Sequence, residues 1–135
     1  MSKRKALVLN NETLSFEEVE LNGEEITYEF LHEMLGWIEH VAGYNETLDN
    51  NHISIWCDEE FKLKEGWQDR ASIVIVSKKS ELIDVLAGTL IFCIDSQDGN
   101  TYGLTDEQIT IVKNELSKRR LIMNNRLLYV LDYKA

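Results

Sequence analysis

Residues 5–21 read Lys5-Ala6-Leu7-Val8-Leu9-Asn10-Asn11-Glu12-Thr13-Leu14-Ser15-Phe16-Glu17-Glu18-Val19-Glu20-Leu21, and this stretch decides the fold. Ala6 to Leu9 is a continuous apolar run of the kind a buried strand carries, and Asn10-Asn11 is a turn signal directly after it. Ser15 to Leu21 reads as a second strand that returns on the first as a hairpin. With the two-residue period of a strand, Val19 and Leu21 share one face, while Phe16, Glu18 and Glu20 share the other.

Working outward, Asn22 with Glu25 three positions on has the pattern of a capping box, and Thr27 is a competing helix start. Leu31, Met34, Leu35, Ile38 and Val41 then form one helical stripe that ends near Gly43. Tyr44 to Asn51 is polar and loop-like. Ile53, Ile55 and Cys57 alternate with Ser54, Trp56 and Asp58, as in a half-exposed strand with Trp56 outward. Asp58 to Asp69 is charged and irregular. Ile73-Val74-Ile75-Val76 reads as a buried strand, with a short helix as the alternative. Ser80 to Leu86 reads as a brief helix closed by Gly88, and Leu90 to Ile94 as a strand followed by the Asp98-Gly99-Asn100 turn. Thr105 and Gln108 form a second capping box, opening a helix with Ile109, Val112 and Leu116 on one face. Lys118, Arg119 and Arg120 fall at its C-terminal end, where cations complement the helix dipole. Arg126 to Tyr133 reads as a final strand. These pieces predict one α+β domain over residues 1–135, a mixed, largely antiparallel sheet of five to six strands packed against two main helices.

The totals fit that picture. A chain of 135 residues with 44% apolar content has enough material for a packed core. Cys57 and Cys93 each sit in an apolar run and read as buried thiols of a reducing compartment. No apolar run reaches membrane-spanning length and no leader-like segment follows Lys3-Arg4-Lys5, so the expectation is a soluble, cytoplasmic protein.

Charge is the other informative property. The formal net charge is −10, which makes bare nucleic acid and anionic membranes poor partners. From Ala6 to Phe61, fifty-six residues pass without a lysine or arginine, and the same stretch holds fourteen carboxylates. From Ile111 onward six cations face two acids, giving a weakly basic end compatible with head-to-tail association or a homodimer.

Signatures of chemistry are lacking. His32, His40, His52, Cys57 and Asp58 reproduce no metal-ligand spacing. The cysteines lack flanking cations that would activate a thiolate, no serine has nucleophile-elbow glycines, and no glycine-rich phosphate loop occurs. The sequence therefore predicts a non-enzymatic protein without metal or cofactor.

Several segments in order resemble a family of small uncharacterised proteins of phages, plasmids and integrated elements, a domain of unknown function. They are Ala6-Leu7-Val8-Leu9 with Glu17-Glu18-Val19, Leu35-Gly36-Trp37-Ile38-Glu39, Asp58-Glu59-Glu60-Phe61-Lys62-Leu63, Asp84-Val85-Leu86-Ala87-Gly88-Thr89-Leu90-Ile91 and Leu104-Thr105-Asp106-Glu107-Gln108. The resemblance covers about residues 5–116, leaving 117–135 as a basic C-terminal extension. The chain departs from the pattern in having one glycine where two are common and in its Asp69-Arg70-Ala71 segment. The resemblance implies a mobile-element setting, and with it an inhibitor of host defence of the anti-CRISPR or anti-restriction type.

On this reading Glu25, Glu29 and Glu33, spaced four apart, line one helical ridge, and Glu18 and Glu20 project about 6.6 Å apart from one strand face. Such rows imitate phosphates, and the expected partner is a basic, nucleic-acid-binding defence effector in a bacterial host. Trp56, with Asp58, Glu59 and Glu60 beyond it, is the expected anchor. The bland alternative is a solvated face kept for solubility. Two other readings stand beside it. One is an oligomeric sponge for a small nucleotide signal, binding through Tyr102, Arg119, Arg120 and Arg126. The other is a housekeeping accessory protein of the element.

Overall fold

In a computed structural model, described over residues 4–134, the opening apolar run forms β1 (Lys5–Asn10) and returns as β2 (Ser15–Glu20), with Leu7 opposite Glu18. The Asn10 carboxamide oxygen makes the reversal by accepting from the backbone N–H groups of Glu12 and Thr13. Next come α1 (Tyr28–Leu35), β3 (Ile38–Val41), the short α2 (Glu46–Asn50) and β4 (Ile53–Asp58). Two 3-10 turns, Phe61–Leu63 and Trp67–Arg70, lead into β5 (Ala71–Val76), β6 (Leu82–Ala87), β7 (Leu90–Asp95) and β8 (Thr101–Tyr102). Then follow α3 (Asp106–Leu116), β9 (Arg120–Met123) and β10 (Arg126–Asp132).

The strands make two sheets. The first runs β2-β1-β7-β4-β3, with β8 also paired to β7, and is antiparallel throughout. The second runs β6-β5-β10-β9, and its β5–β10 pair is parallel. Strand alternation sends Leu7, Leu9, Ile55 and Phe92 to one face of the first sheet. There they meet Ile109, Val112 and Leu116 of α3 and Ile73, Ile75 and Leu131 of the second sheet. Burying a side chain such as Phe92 stabilises by about 1.5–3 kcal/mol relative to leaving it exposed. The opposite face, with Ala6, Val8, Ile91 and Cys93, lies beneath Leu31 and Leu35 of α1.

The fold is thus α+β and largely antiparallel, but it differs from the expected single sheet with two helices. Ten strands in two sheets and three α-helices are present among the described residues, and sheet dominates. The helical stripe stops early because Gly36 takes left-handed backbone, φ 86°, and its N–H closes on the His32 carbonyl. Ile38 and Val41 then fall on opposite faces of β3, in different cores. The helix starts at Thr27, whose hydroxyl accepts from Phe30 N–H, so the Asn22–Glu25 box does not form. The expected helix over Ser80–Leu86 is instead β6. The Ser77 hydroxyl, accepting from Lys79 and Glu81 N–H groups, turns the chain so that Val85 pairs with Val74. Tyr44–Asn51 contains α2, capped by the Asn45 side chain on Leu48 N–H.

The α3 capping box is present in both directions, with Gln108 N–H donating to the Thr105 hydroxyl and Thr105 N–H donating to the Gln108 carboxamide oxygen. Beyond it, the C-terminal segment is integral rather than appended. Asn124 and Asn125, both left-handed, turn β9 into β10, and β10 lies between β9 and β5 with Leu128, Val130 and Leu131 buried. No helix among the described residues is long and apolar enough to cross a membrane.

Candidate binding face on the first helix

Helix α1 is fixed by Leu31 and Leu35, with Phe30 half-buried against the same core, and presents its other polar and aromatic side chains outward. Leu31 and Leu35 are buried, whereas Tyr28, Glu29, His32, Glu33 and Met34 are exposed. The Tyr28 ring stacks on His32 at 5.8 Å between centroids, and His32 meets Trp37 edge-on at 5.9 Å. Tyr28 and Trp37 remain 60% and 59% exposed, so the row is open along its length. The Glu59 N–H donates to the Trp37 carbonyl at 2.7 Å, which ties the acidic Asp58–Glu60 segment to the end of the row.

Upstream of the helix, Glu20, Glu24 and Glu25 line a groove of about 450 Å³ together with Thr27 and Phe30. Glu25 lies outside the helix, bridged to Tyr102 of β8, so the expected three-glutamate ridge is reduced to Glu29 and Glu33. Two like charges one turn apart cost about 0.2–0.5 kcal/mol. Among the described residues, Glu20, Glu24, Glu25, Glu29, Glu33, Glu59 and Glu60 take part in no ion pair. Asp58 is paired with Lys64 at 3.4 Å.

Glu18 belongs elsewhere. It shares the Phe16 face and is held by Lys5 at 3.2 Å and by Lys113 of α3 at 3.3 Å. The bonds from Lys5 and then Lys113 hold its carboxyl below the usual glutamate range. Trp56, the expected anchor, is half-buried against His40 at 4.8 Å and packs in the core beneath α1. The exposed tryptophan is Trp37, which follows Gly36, where the helix stops.

Of the residues of the nucleotide reading, Arg119 and Arg120 line one cavity of about 220 Å³ with Val74 and Leu82, whereas Tyr102 and Arg126 lie outside it. Tyr102 donates to Asp98 at 2.7 Å and lines an open cavity of about 520 Å³ with Arg4 and His52. Arg119 is paired with Asp132 at 2.6 Å. Arg120 lies over the Tyr129 ring at 3.8 Å and donates to the Leu127 and Leu128 carbonyls. Arg126 donates to the carbonyls of Ala71 and Asn11.

His40 is engaged by Asp95 at 3.0 Å, and among the described residues no three His, Cys, Asp or Glu side chains gather as a metal-holding group. Burial pushes the Cys57 and Cys93 thiols up to about 12, so neither is poised as a nucleophile at neutral pH.

Residues 4–117 match the family described as a domain of unknown function, DUF3846. No curated protein matches the chain, and no solved structure does.

Proposed function

We propose, from the premise that this chain belongs to the DUF3846 family, that it is a non-enzymatic binding protein docking its α1 face onto a basic macromolecular surface. The observation that carries the reading is the coincidence of uncompensated carboxylates with exposed large aromatics. Glu20, Glu24, Glu25, Glu29 and Glu33 have no ion-pair partner among the described residues, and Tyr28 on α1 and Trp37 just past its end are exposed. Aromatic residues are enriched as interface anchors, and unneutralised charge of one sign speeds encounter with the opposite sign. A groove that normally holds phosphates is the surface such a face suits best. The resemblance to mobile-element proteins makes a nucleic-acid-binding effector of host defence the first partner to try.

The experiment is displacement. A labelled duplex is bound to basic nucleic-acid-binding effectors and the protein is titrated in, with fluorescence anisotropy as the readout. Release that weakens steeply as salt rises, and that is lost in Glu29→Lys/Glu33→Lys, supports the reading. Release unaffected by the double charge reversal refutes it.

A further inference from the structure

We infer that the α1 face selects arginine over lysine, so that the partner it fits is a guanidinium-bearing segment. This rests on the reading that α1 docks a basic partner, and it names the partner's chemistry. Lysine and arginine satisfy a bare carboxylate about equally as point charges. They differ where a carboxylate stands beside an exposed ring, because a planar guanidinium stacks on the ring while its edge forms paired hydrogen bonds to the carboxylate. The α1 face has that arrangement. Glu29 lies three positions before His32, the spacing at which helical side chains are neighbours, so a carboxylate adjoins the middle ring of the row, while Trp37 is tied to the Glu59 backbone.

The protein's own cations already lie over other aromatics: Arg4 over Tyr102, Lys62 over Trp67, Lys64 over Phe61 and Arg120 over Tyr129. Tyr28 and Trp37 carry no such cation among the described residues, yet they are exposed and held in a row through His32 at 5.8 and 5.9 Å. Neither ring helps fill the core beneath α1, which Leu31 and Leu35 close. What is offered is a prepared aromatic surface, flanked by carboxylates, whose cation comes from outside.

The full-length protein is titrated with two peptides of equal length and charge, one alternating arginine with glycine and one alternating lysine with glycine. Lysine also lies over rings, as Lys62 and Lys64 do here, so the arginine peptide is expected to bind about fivefold tighter, the margin coming from stacking with paired hydrogen bonds. In Tyr28→Ala/Trp37→Ala the preference should fall below about twofold while charge-driven binding persists. Equal affinity of the unaltered protein for both peptides overturns the inference and leaves the acidic-face reading intact, as does a preference unchanged in the double alanine variant. Failure of both peptides to bind overturns both.

Discussion

Replacing Arg126 with alanine should unfold the protein at markedly lower denaturant without touching any ligand. Its guanidinium donates from Nε and Nη2 to the Ala71 carbonyl at 3.1 and 3.0 Å, and from Nη2 to the Asn11 carbonyl at 2.7 Å. One half-buried side chain therefore joins β10 to the start of β5 and to the β1–β2 turn. Ala71 and Asn11 are both buried, so truncation leaves two carbonyls poorly satisfied. Each such loss is worth about 1–3 kcal/mol, and partial access of water sets the sum at about 2–4 kcal/mol. Arg126→Lys, whose ammonium can serve one carbonyl well, should lose about half of that. For a urea slope of about 2 kcal/mol per molar, the alanine midpoint should fall by about 1–2 M. A midpoint within about 0.3 M of the parent would refute the argument, and a ligand-binding defect without a stability defect would return Arg126 to the surface set.

Both thiols should resist a disulfide reagent at mildly alkaline pH in the native protein and react fully after unfolding, since burial pushes Cys57 and Cys93 up to about 12. Rapid reaction of either in native buffer contradicts this. At Asp84 burial acts to raise the carboxyl, but Lys62 and the Tyr44 hydroxyl, each donating at 2.8 Å, outweigh it and hold the carboxyl below the ordinary aspartate range. A value depressed by folding stabilises above the unfolded aspartate value near about 4 and is lost as pH falls through the folded value. The stability gap between the parent and Asp84→Asn should therefore shrink from about pH 5 towards pH 2; a constant gap is the contrary result. Gly88→Ala should destabilise by about 1–3 kcal/mol, because Gly88 has φ 80° and a new Cβ would lie 2.7 Å from the Phe61 ring. Gly99→Ala, with φ 86° and open space around it, is the milder control, and equal thermal melts for the two variants would speak against the Phe61 contact.

Much of the fold is written locally. The β1–β2 hairpin, β4, β5 and β7 follow from short apolar runs and their turns, and α3 follows from Thr105 and Gln108. Where structure departs from local pattern, the deciding contacts are distant. Leu82, Ile83, Val85 and Leu86 suit a helix as well as a strand, and only pairing with β5 selects β6. Arg119 and Arg120 resemble a helix end, but Tyr129 and the β10 carbonyls draw Arg120 into β9. The division into two sheets has no local mark at all. The candidate face was half legible. Glu29 and Glu33 declare themselves by spacing, whereas the capture of Glu18 by Lys113, across 95 positions, has no trace in the pattern. Trp56 lies at the outward position of an alternating strand, yet α1 covers that face and packs it into the core.

The parallel seat of β10 beside β5 has a consequence during synthesis. Ile73 faces Tyr129, so β5 leaves the ribosome long before its second neighbour exists. In that interval β6 guards one flank, while the other flank offers unmet N–H and C=O groups along six residues that are all buried in the finished protein. Nascent chains stalled at this stage are the ones at risk of pairing with each other. That flank is covered only when Arg126–Asp132 has emerged and paired along it.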